Sequence, residues 1–183
     1  MEKGPVIGIT MGDPAGIGPE ITVKAFAHEE LLETCRPIVV GDATFLERAM
    51  SFPGIPRLAV HPVSSAAEAL FQPGMIDVVH LGIADADTLK IGEVSKEAGN
   101  AAFRYVEEVI RLALAGEVDA TVTNALNKEA MNAAGHHYSG QTEVYAKLTG
   151  TRHYAMLLLD KELRVVHVST HVSLREACDR NND

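Results

Sequence analysis

The stretch that decides the fold is GITMGDPAGIGPE, at residues 8–20 of the 183-residue chain. A short apolar run over residues 6–9 leads into a loop with three glycines, and a helix-like run begins at Pro19. Proline is favoured at the first position of a helix because its missing N–H would have no partner there. Strand, glycine-rich loop and helix in this order bring backbone N–H groups and a helix N-terminus to an anionic ligand in α/β proteins.

The glycine spacing does not match a common phosphate-binding motif. No Gly-Lys-Ser/Thr sequence is present, and the spacing of Gly12, Gly16 and Gly18 differs from G-x-G-x-x-G. A phosphoryl-transfer enzyme with a Walker A loop is therefore disfavoured. Two interpretations of the spacing stay open: a loop that binds a ligand, and a tight connection whose glycines serve only the turn.

Strand-like and helix-like runs alternate along the chain. Apolar runs typical of strands cover residues 6–11, 37–41, 58–60, 76–81, 119–123, 154–159 and 163–169, and the runs at 6–11 and 119–123 are predicted to be buried. Helical patterns cover residues 20–33, 43–50, 95–115, 128–134 and 142–148, and a further helix opens at 172–179. This alternation predicts an α/β fold with a largely parallel sheet in the first part.

Composition limits the partners that the chain can have. There are 25 acidic and 16 basic residues, and the net charge of −9 argues against nucleic acid or an anionic membrane as a partner. The cysteines, Cys35 and Cys178, lie far apart without metal-ligand spacing, and no apolar run is long enough to span a membrane. These features predict a cytoplasmic protein.

Four segments together carry a resemblance to a known family. They are residues 8–20, TNALNK at 123–128, SGQTE at 139–143 and STHVSLRE at 169–176. All four resemble motifs of the 4-hydroxythreonine-4-phosphate dehydrogenase (PdxA) family. The wording of 124–128 and 171–177 is closer to the branch that oxidises D-threonate or D-erythronate 4-phosphate. The resemblance covers essentially all of the chain, whereas the chain covers only a little over half of a family member.

The resemblance implies an α/β/α sandwich of the isocitrate/isopropylmalate dehydrogenase type. Family members have two such domains, with the active site in the cleft between them and completed across a homodimer. On that basis we expect a first α/β domain at residues 1–127, which contains the Gly-rich segment 8–20, and the start of a second at 128–183. The helix that opens near residue 172 is cut short, so we expect the second domain to be truncated.

The implied reaction is an NAD-dependent oxidation. A secondary alcohol β to a carboxylate would be oxidised on a four-carbon acid that carries a terminal phosphate, and the β-keto acid would lose carbon dioxide. A divalent metal (Zn, Mg or Co) would polarise the reacting oxygen, and the nicotinamide would accept the hydride. A second class of function stays open, a non-catalytic truncated member that keeps a folded domain or an assembly surface. We expect the 183-residue chain alone to be inactive, and we assign no catalytic residue.

Gln141 and Thr142 occupy, by resemblance, the substrate-binding positions at which the family has histidine followed by threonine. Glutamine offers an N–H donor and an acceptor, but it cannot carry a positive charge. From the residues alone, Ser139 and Gly140 also fit a turn and Thr142 a helix N-cap, and the cap and ligand roles are compatible.

His171 follows an apolar strand, at the kind of strand end where α/β proteins place ligands. A single histidine does not define a metal site, and His136, His137 and His153 show no His-x-x-x-His spacing. By resemblance, His171 is the first of the family's three metal-binding histidines, and the other two lie beyond residue 183. We therefore expect weak metal binding at most by this chain.

Asp13 and Lys128 are candidates for a supporting role. The Asp13 carboxylate could accept hydrogen bonds from backbone N–H groups of its own loop or orient a ligand hydroxyl. Lys128 follows a strand end and starts a predicted helix, where it could meet an anionic ligand or remain a solvated surface cation.

Overall fold

A parallel sheet organises the first part of the chain. Its strands are β1 (Val6–Thr10), β2 (Arg36–Gly41), β3 (Ala59–Val63), β4 (Met75–His80) and β5 (Ala120–Thr123), in the spatial order β3-β4-β2-β1-β5. Every neighbouring pair is parallel, with Val6 opposite Arg36 and Ile7 opposite Ala120. The predicted α/β fold with a parallel sheet is confirmed.

The computed structural model describes residues 4–167, 169 and 172–180. Contacts divide the chain into two compact units, Met1–Gln141 and Thr142–Asp183. The domain boundary expected between residues 127 and 128 stays a prediction. No helix among the described residues is long and apolar enough to cross a bilayer.

Five helices accompany the sheet in the first unit. They are α1 (Gly18–Phe26), α2 (Glu30–Thr34), α3 (Ala43–Ala49), α4 (Lys96–Leu114) and α5 (Lys128–Ala133), with a 3₁₀ turn at Ala66–Glu68. α1 and α3 lie on the connections that lead from β1 through β2 to β3, whereas α4 lies on the return from β4 to β5. Such crossover connections are right-handed. Connections that run toward β3 therefore place their helices on one face of the sheet, and the connection that runs back toward β5 places α4 on the other face.

The core sits on both sides of β2. Ile38, Val39 and Val40 are fully buried although consecutive side chains point to opposite faces, so both faces are covered. α4 supplies the largest apolar face, and its Ser95 cap accepts a hydrogen bond from the Ala98 N–H at 3.0 Å. α4 packs against β1, β2 and β5.

Two predictions about the elements were wrong. The single helix expected over 20–33 is two helices, because α1 ends at Phe26 and α2, which buries no residue, begins only at Glu30. Packing stabilises most helices in proteins, so a run without a buried face does not extend α1. β5, expected to be buried, is an edge strand in which Val122 is 50% exposed.

The second unit contains a helix, a hairpin and a second helix. α6 spans Gln141–Thr149, β6 spans Leu157–Asp160, β7 spans Leu163–Val166 and α7 spans Leu174–Arg180. β6 and β7 pair antiparallel, with Leu157 opposite Val166, around a turn in which Lys161 has φ of 48°. The apolar side chains of both strands are exposed within the described structure.

The sheet order places a crevice beside β1. β1 is followed in sequence by its neighbour β2 on one side, whereas its neighbour on the other side, β5, arrives from β4. In open α/β sheets, ligands bind outside the carboxyl ends of strands at such a reversal of direction. The carboxyl ends of β1 and β5 therefore bound the candidate site.

We expect Gly18→Ala to destabilise the fold strongly. A Cβ at position 18 would overlap the Met11 carbonyl oxygen, which is backbone and cannot swing away. The expected loss is about 3 kcal/mol in the free energy of unfolding, measured by urea denaturation. Gly16→Ala in the same loop is the matched control, because its Cβ would first meet the Asp13 carbonyl oxygen at 3.4 Å, an ordinary contact. Equal stability losses in both variants would show that the Met11 contact does not set the cost.

Candidate functional site

The β1–α1 loop (residues 11–17) is built on close backbone approaches. Gly12 has φ of 78°, and a Cβ there would lie 2.5 Å from the Ala125 carbonyl oxygen. The Asp13 N–H donates to that same Ala125 oxygen at 3.0 Å. Gly12 and Gly18 are therefore required by the packing of the loop itself. This finding favours the interpretation that these two glycines serve the turn.

Asn124 joins the ends of the two strands. Its N–H donates to the Thr10 hydroxyl at 3.2 Å, which links the loop after β5 to the end of β1. Its side-chain amide donates to the Thr22 hydroxyl at 2.8 Å, and that hydroxyl donates to the Gly18 carbonyl, also at 2.8 Å. One side chain thus fixes the start of α1 relative to β5.

Gln141 lies against the same segment. Its Nε2 donates to the Asn124 carbonyl oxygen at 2.9 Å, and the side chain is half-buried. Because a carbonyl oxygen only accepts, the amide nitrogen must face it, and Oε1 is left as an acceptor for another group. Gln141 can therefore receive a hydrogen bond from a hydroxyl at the edge of the crevice.

Asp13 is buried in the β1–α1 loop. Only 7% of its surface is exposed, and Oδ1 accepts a hydrogen bond from the Ala15 N–H at 2.8 Å. Burial raises the pKa of the Asp13 carboxyl above its ordinary value, and the bond from Ala15 offsets that effect in part. The Asp13 side chain thus holds the loop in a local turn. Its burial disfavours the charged form of the carboxyl.

The remaining predicted residues occupy different parts of the chain. Lys128 is exposed at the first position of α5, directly after the Asn127 cap, whose Oδ1 accepts from the Ala130 N–H at 3.1 Å. Thr142 is the second residue of α6 and belongs to the second unit, so it lies inside the first helical turn rather than at the cap. His171 lies outside the described residues.

The described residues offer backbone donors for an anionic group at the start of α1. Within 4–167, 169 and 172–180, no group of three or more His, Cys, Asp or Glu side chains could hold a metal. The first turn of α1, in contrast, has backbone N–H groups without carbonyl partners in the helix, as every helix start does. A Cβ at Gly16, just before that turn, would make only ordinary contacts with Asp13, at 3.4 Å and beyond. These groups fit a phosphate or carboxylate without specifying NAD.

The sequence analysis missed the roles of Asn124 and Thr22. Asn124 was part of a quoted motif, but its position directly after a strand end was the only signal of a structural role. Thr22 is buried in α1, where a hydroxyl needs a partner, so a polar residue on the buried face was the available signal. Neither signal names the partner, because the partners lie 102 residues apart.

The chain is similar to one protein family and to proteins named as dehydrogenases. The profile of a family described as pyridoxal phosphate biosynthetic protein PdxA matches residues 33–182. The D-threonate 4-phosphate dehydrogenase of Cupriavidus necator is 47% identical over 173 residues, which are 94% of this chain and 51% of that protein. The enzyme of the same name from Pectobacterium atrosepticum is 44% identical over 177 residues, or 97% of this chain and 54% of that protein.

A solved structure gives the same picture. The crystal structure of a 4-hydroxythreonine-4-phosphate dehydrogenase from Burkholderia phymatum superposes with a TM-score of 0.88 at 44% identity, covering 94% of this chain and 52% of that one. The fold class is therefore that of the PdxA-type dehydrogenases, which have the isocitrate dehydrogenase-like fold. The chain spans about half the length of the relatives that it matches.

We expect Asp13→Asn to raise stability at neutral pH. Because the folded-state pKa is raised, the folded protein binds more protons than the unfolded chain just above the ordinary pKa of 3.8. The free energy of unfolding contributed by Asp13 is therefore largest below 3.8 and falls as pH rises through the folded-state pKa. Asparagine keeps an acceptor for Ala15 but carries no charge, so this fall disappears.

The measurement is Tm by circular dichroism from pH 3.5 to 7.5, with the exposed Asp160→Asn as the matched control. A Tm increase at pH 7 on the order of 2–4 °C is expected for Asp13→Asn, because a gain of about 1 kcal/mol in the free energy of unfolding raises Tm by that amount in a chain of this size. A lower Tm at pH 7, or the same pH dependence as the unmodified protein, would contradict the assignment.

Proposed function

Because the chain belongs to the PdxA family, we propose that it acts in an NAD- and divalent-metal-dependent dehydrogenase of phosphorylated four-carbon hydroxy acids. The observation that carries the proposal is the 47% identity, over 94% of this chain, to a D-threonate 4-phosphate dehydrogenase. D-threonate 4-phosphate, D-erythronate 4-phosphate and 4-hydroxythreonine 4-phosphate are the candidate substrates. A cytoplasmic homodimer, as the family resemblance and the composition imply, is part of the same proposal.

The proposed reaction removes a hydride and a proton from a secondary alcohol. The alcohol carbon lies β to the carboxylate, NAD takes the hydride, and the resulting β-keto acid loses carbon dioxide. The crevice beside β1 supports this proposal with acceptors and N–H groups. The Gln141 Oε1 would accept from a substrate hydroxyl, the first turn of α1 would face an anionic group, and Lys128 at the first position of α5 would supply a cation.

His171 is proposed as one metal ligand. The described residues do not provide a set of three ligands, so no step of the reaction is assigned to a metal here. Thr142 is proposed as a substrate contact next to Gln141, and Asp13 as the residue that keeps the β1–α1 loop in shape.

A non-catalytic role is the second candidate. The observation that favours it is the β6–β7 hairpin, in which Leu157 is 49%, Leu159 64% and Leu163 64% exposed. Apolar strands of this kind are normally covered in α/β proteins. A folded first unit with an uncovered hairpin would suit an assembly surface better than a closed active site.

Turnover separates the two candidates. The 183-residue protein is compared with a chimera in which it replaces the matching stretch of the Cupriavidus necator enzyme. NADH absorbance is followed with each of the three candidate substrates and with Mg²⁺, Co²⁺ or Zn²⁺. We expect turnover by the chimera and none by the 183-residue protein.

The controls in this assay are histidine variants of the chimera. His171→Ala is expected to lower turnover by about 100-fold or more, since a metal contributes several kcal/mol to transition-state stabilisation. His153→Ala is expected to leave turnover unchanged. A folded chimera without activity would contradict the proposed dehydrogenase, and turnover by the short protein, free of host enzyme, would contradict its expected inactivity.

We expect Gln141→His in the chimera to strengthen substrate binding. Histidine can still donate to the Asn124 carbonyl and can also become cationic next to an anionic substrate. A charge-assisted hydrogen bond exceeds a neutral one by about 1 kcal/mol, which corresponds to a KM about 5-fold lower. The exposed Gln72→His is the matched control. An unchanged or higher KM in Gln141→His would reject the proposed contact.

A further inference from the structure

A long connection leads from the carboxyl end of β4 to α4 and contacts the β1–α1 loop on its way. It comprises residues 81–95, between β4 and α4, and contains no helix or strand. We call it the strap. It begins beside β2, where the Leu81 N–H donates to the Gly41 carbonyl oxygen at 3.1 Å. A connection of this length without regular structure keeps its shape only through contacts with other elements.

Asp42 anchors the first part of the strap. Its carboxylate is fully buried directly after β2, and Oδ2 accepts from the Ile83 N–H at 2.9 Å and from the Ala84 N–H at 2.8 Å. The Asp85 N–H donates to the Glu97 carboxylate of α4 at 2.9 Å. Three successive backbone N–H groups of the strap are thereby paired with acidic side chains that lie at the end of β2 and in α4.

Arg48 anchors the second part from α3. Its Nη1 donates to the Leu89 carbonyl oxygen at 2.8 Å and also to the Ala86 carbonyl oxygen. The guanidinium carbon lies 4.6 Å from the centre of the Phe45 ring, which restricts the direction of the side chain. The guanidinium thus combines a planar face that lies against the Phe45 ring with a nitrogen that donates to two carbonyl oxygens.

The strap then contacts the candidate site directly. The Gly92 N–H donates to the Ala15 carbonyl oxygen at 2.7 Å. Arg48, Phe45 and Gly92 also line a cavity of about 170 Å³, which Ala15 and Gly16 of the β1–α1 loop line as well. Arg48 itself makes none of the hydrogen bonds to Ala15 described above. It acts on the loop indirectly, because it holds the strap that carries Gly92.

We propose that Arg48 is a positioning residue for the β1–α1 loop. By holding the Ala86 and Leu89 carbonyls, it keeps Gly92 where its N–H fixes the Ala15 carbonyl. This support acts together with the Asp13–Ala125 and Asn124–Thr22 hydrogen bonds, so loss of the strap contact is expected to loosen the whole loop. The inference concerns the order of the loop and does not depend on the proposed dehydrogenase activity.

Hydrogen exchange of the 183-residue protein tests the proposal. The reporting amides are Asp13, Ala15 and Gly16, which are hydrogen-bonded within the loop region, and Gly92 in the strap. Arg48→Met retains apolar contact with Phe45 but removes the hydrogen bonds to the strap. We expect all four amides to exchange about 10-fold faster in this variant, because the loss of one or two hydrogen bonds lowers the free energy of local opening. The Ala134 and Gly135 amides at the end of α5 should remain within about 2-fold of the unmodified protein, because they can open locally while the Arg48 hydrogen bonds stay intact.

Two further variants make the outcome decisive. Arg48→Lys keeps the charge and a nitrogen that can donate to both carbonyls, as Nη1 does, but it lacks the planar face over Phe45, so it should restore part of the protection in both segments. Arg104→Met removes an exposed arginine that pairs with Glu107 at 3.1 Å in α4, and should change neither segment. Faster exchange confined to the strap, with Asp13, Ala15 and Gly16 unchanged, would overturn the proposal. If Arg48→Met does not fold, Arg48→Leu, which also removes the donors, decides: unchanged loop exchange in that variant overturns the proposal.

Discussion

The passage from β1 into α1 depends on an approach that only glycine permits. The Met11 carbonyl occupies the space where a side chain at position 18 would begin, so α1 can start immediately above the end of β1. The second close approach, of Gly12 to the Ala125 carbonyl, brings the loop after β5 to the same place. The short polar contacts of Asn124, Thr22 and Gln141 are possible because these backbones are already in contact. The crevice thus depends on glycine at positions 12 and 18, where no side chain keeps the backbones apart.

The electrostatics of the crevice differ from those of a basic binding surface. The chain carries a net charge of −9, and the groups that converge beside β1 are largely neutral amides and backbone N–H groups. Asp13, the nearest acid in the loop, is buried where its charged form is disfavoured, so it adds less repulsion toward an anion than a solvated carboxylate would. An anionic ligand at this edge would therefore rely on oriented dipoles, with Lys128 as an exposed cation after β5.

The second unit shows a different balance. β6 and β7 have apolar side chains on both faces, a pattern that α/β proteins use for strands covered from both sides. In the described structure those side chains are exposed, and the relatives are about twice as long as this chain. The first unit has a buried core around β2, whereas the hairpin has none of its own. The two units thus differ in how completely their apolar surface is buried.

The sequence by itself determined the elements and the family. Short apolar runs, the Ser95 cap and the glycine after α4 are local signals, and each depends on residues within one or two turns. The tertiary structure decided which of those elements end early, which strand is an edge and which polar groups meet. α1 stops at Phe26 because no face beyond it is buried, and β5 is half exposed because no strand lies outside it among the described residues. Arg48 and Leu89, or Asn124 and Thr22, come together only when the sheet order is set, and local sequence patterns carry no information about contacts over that separation.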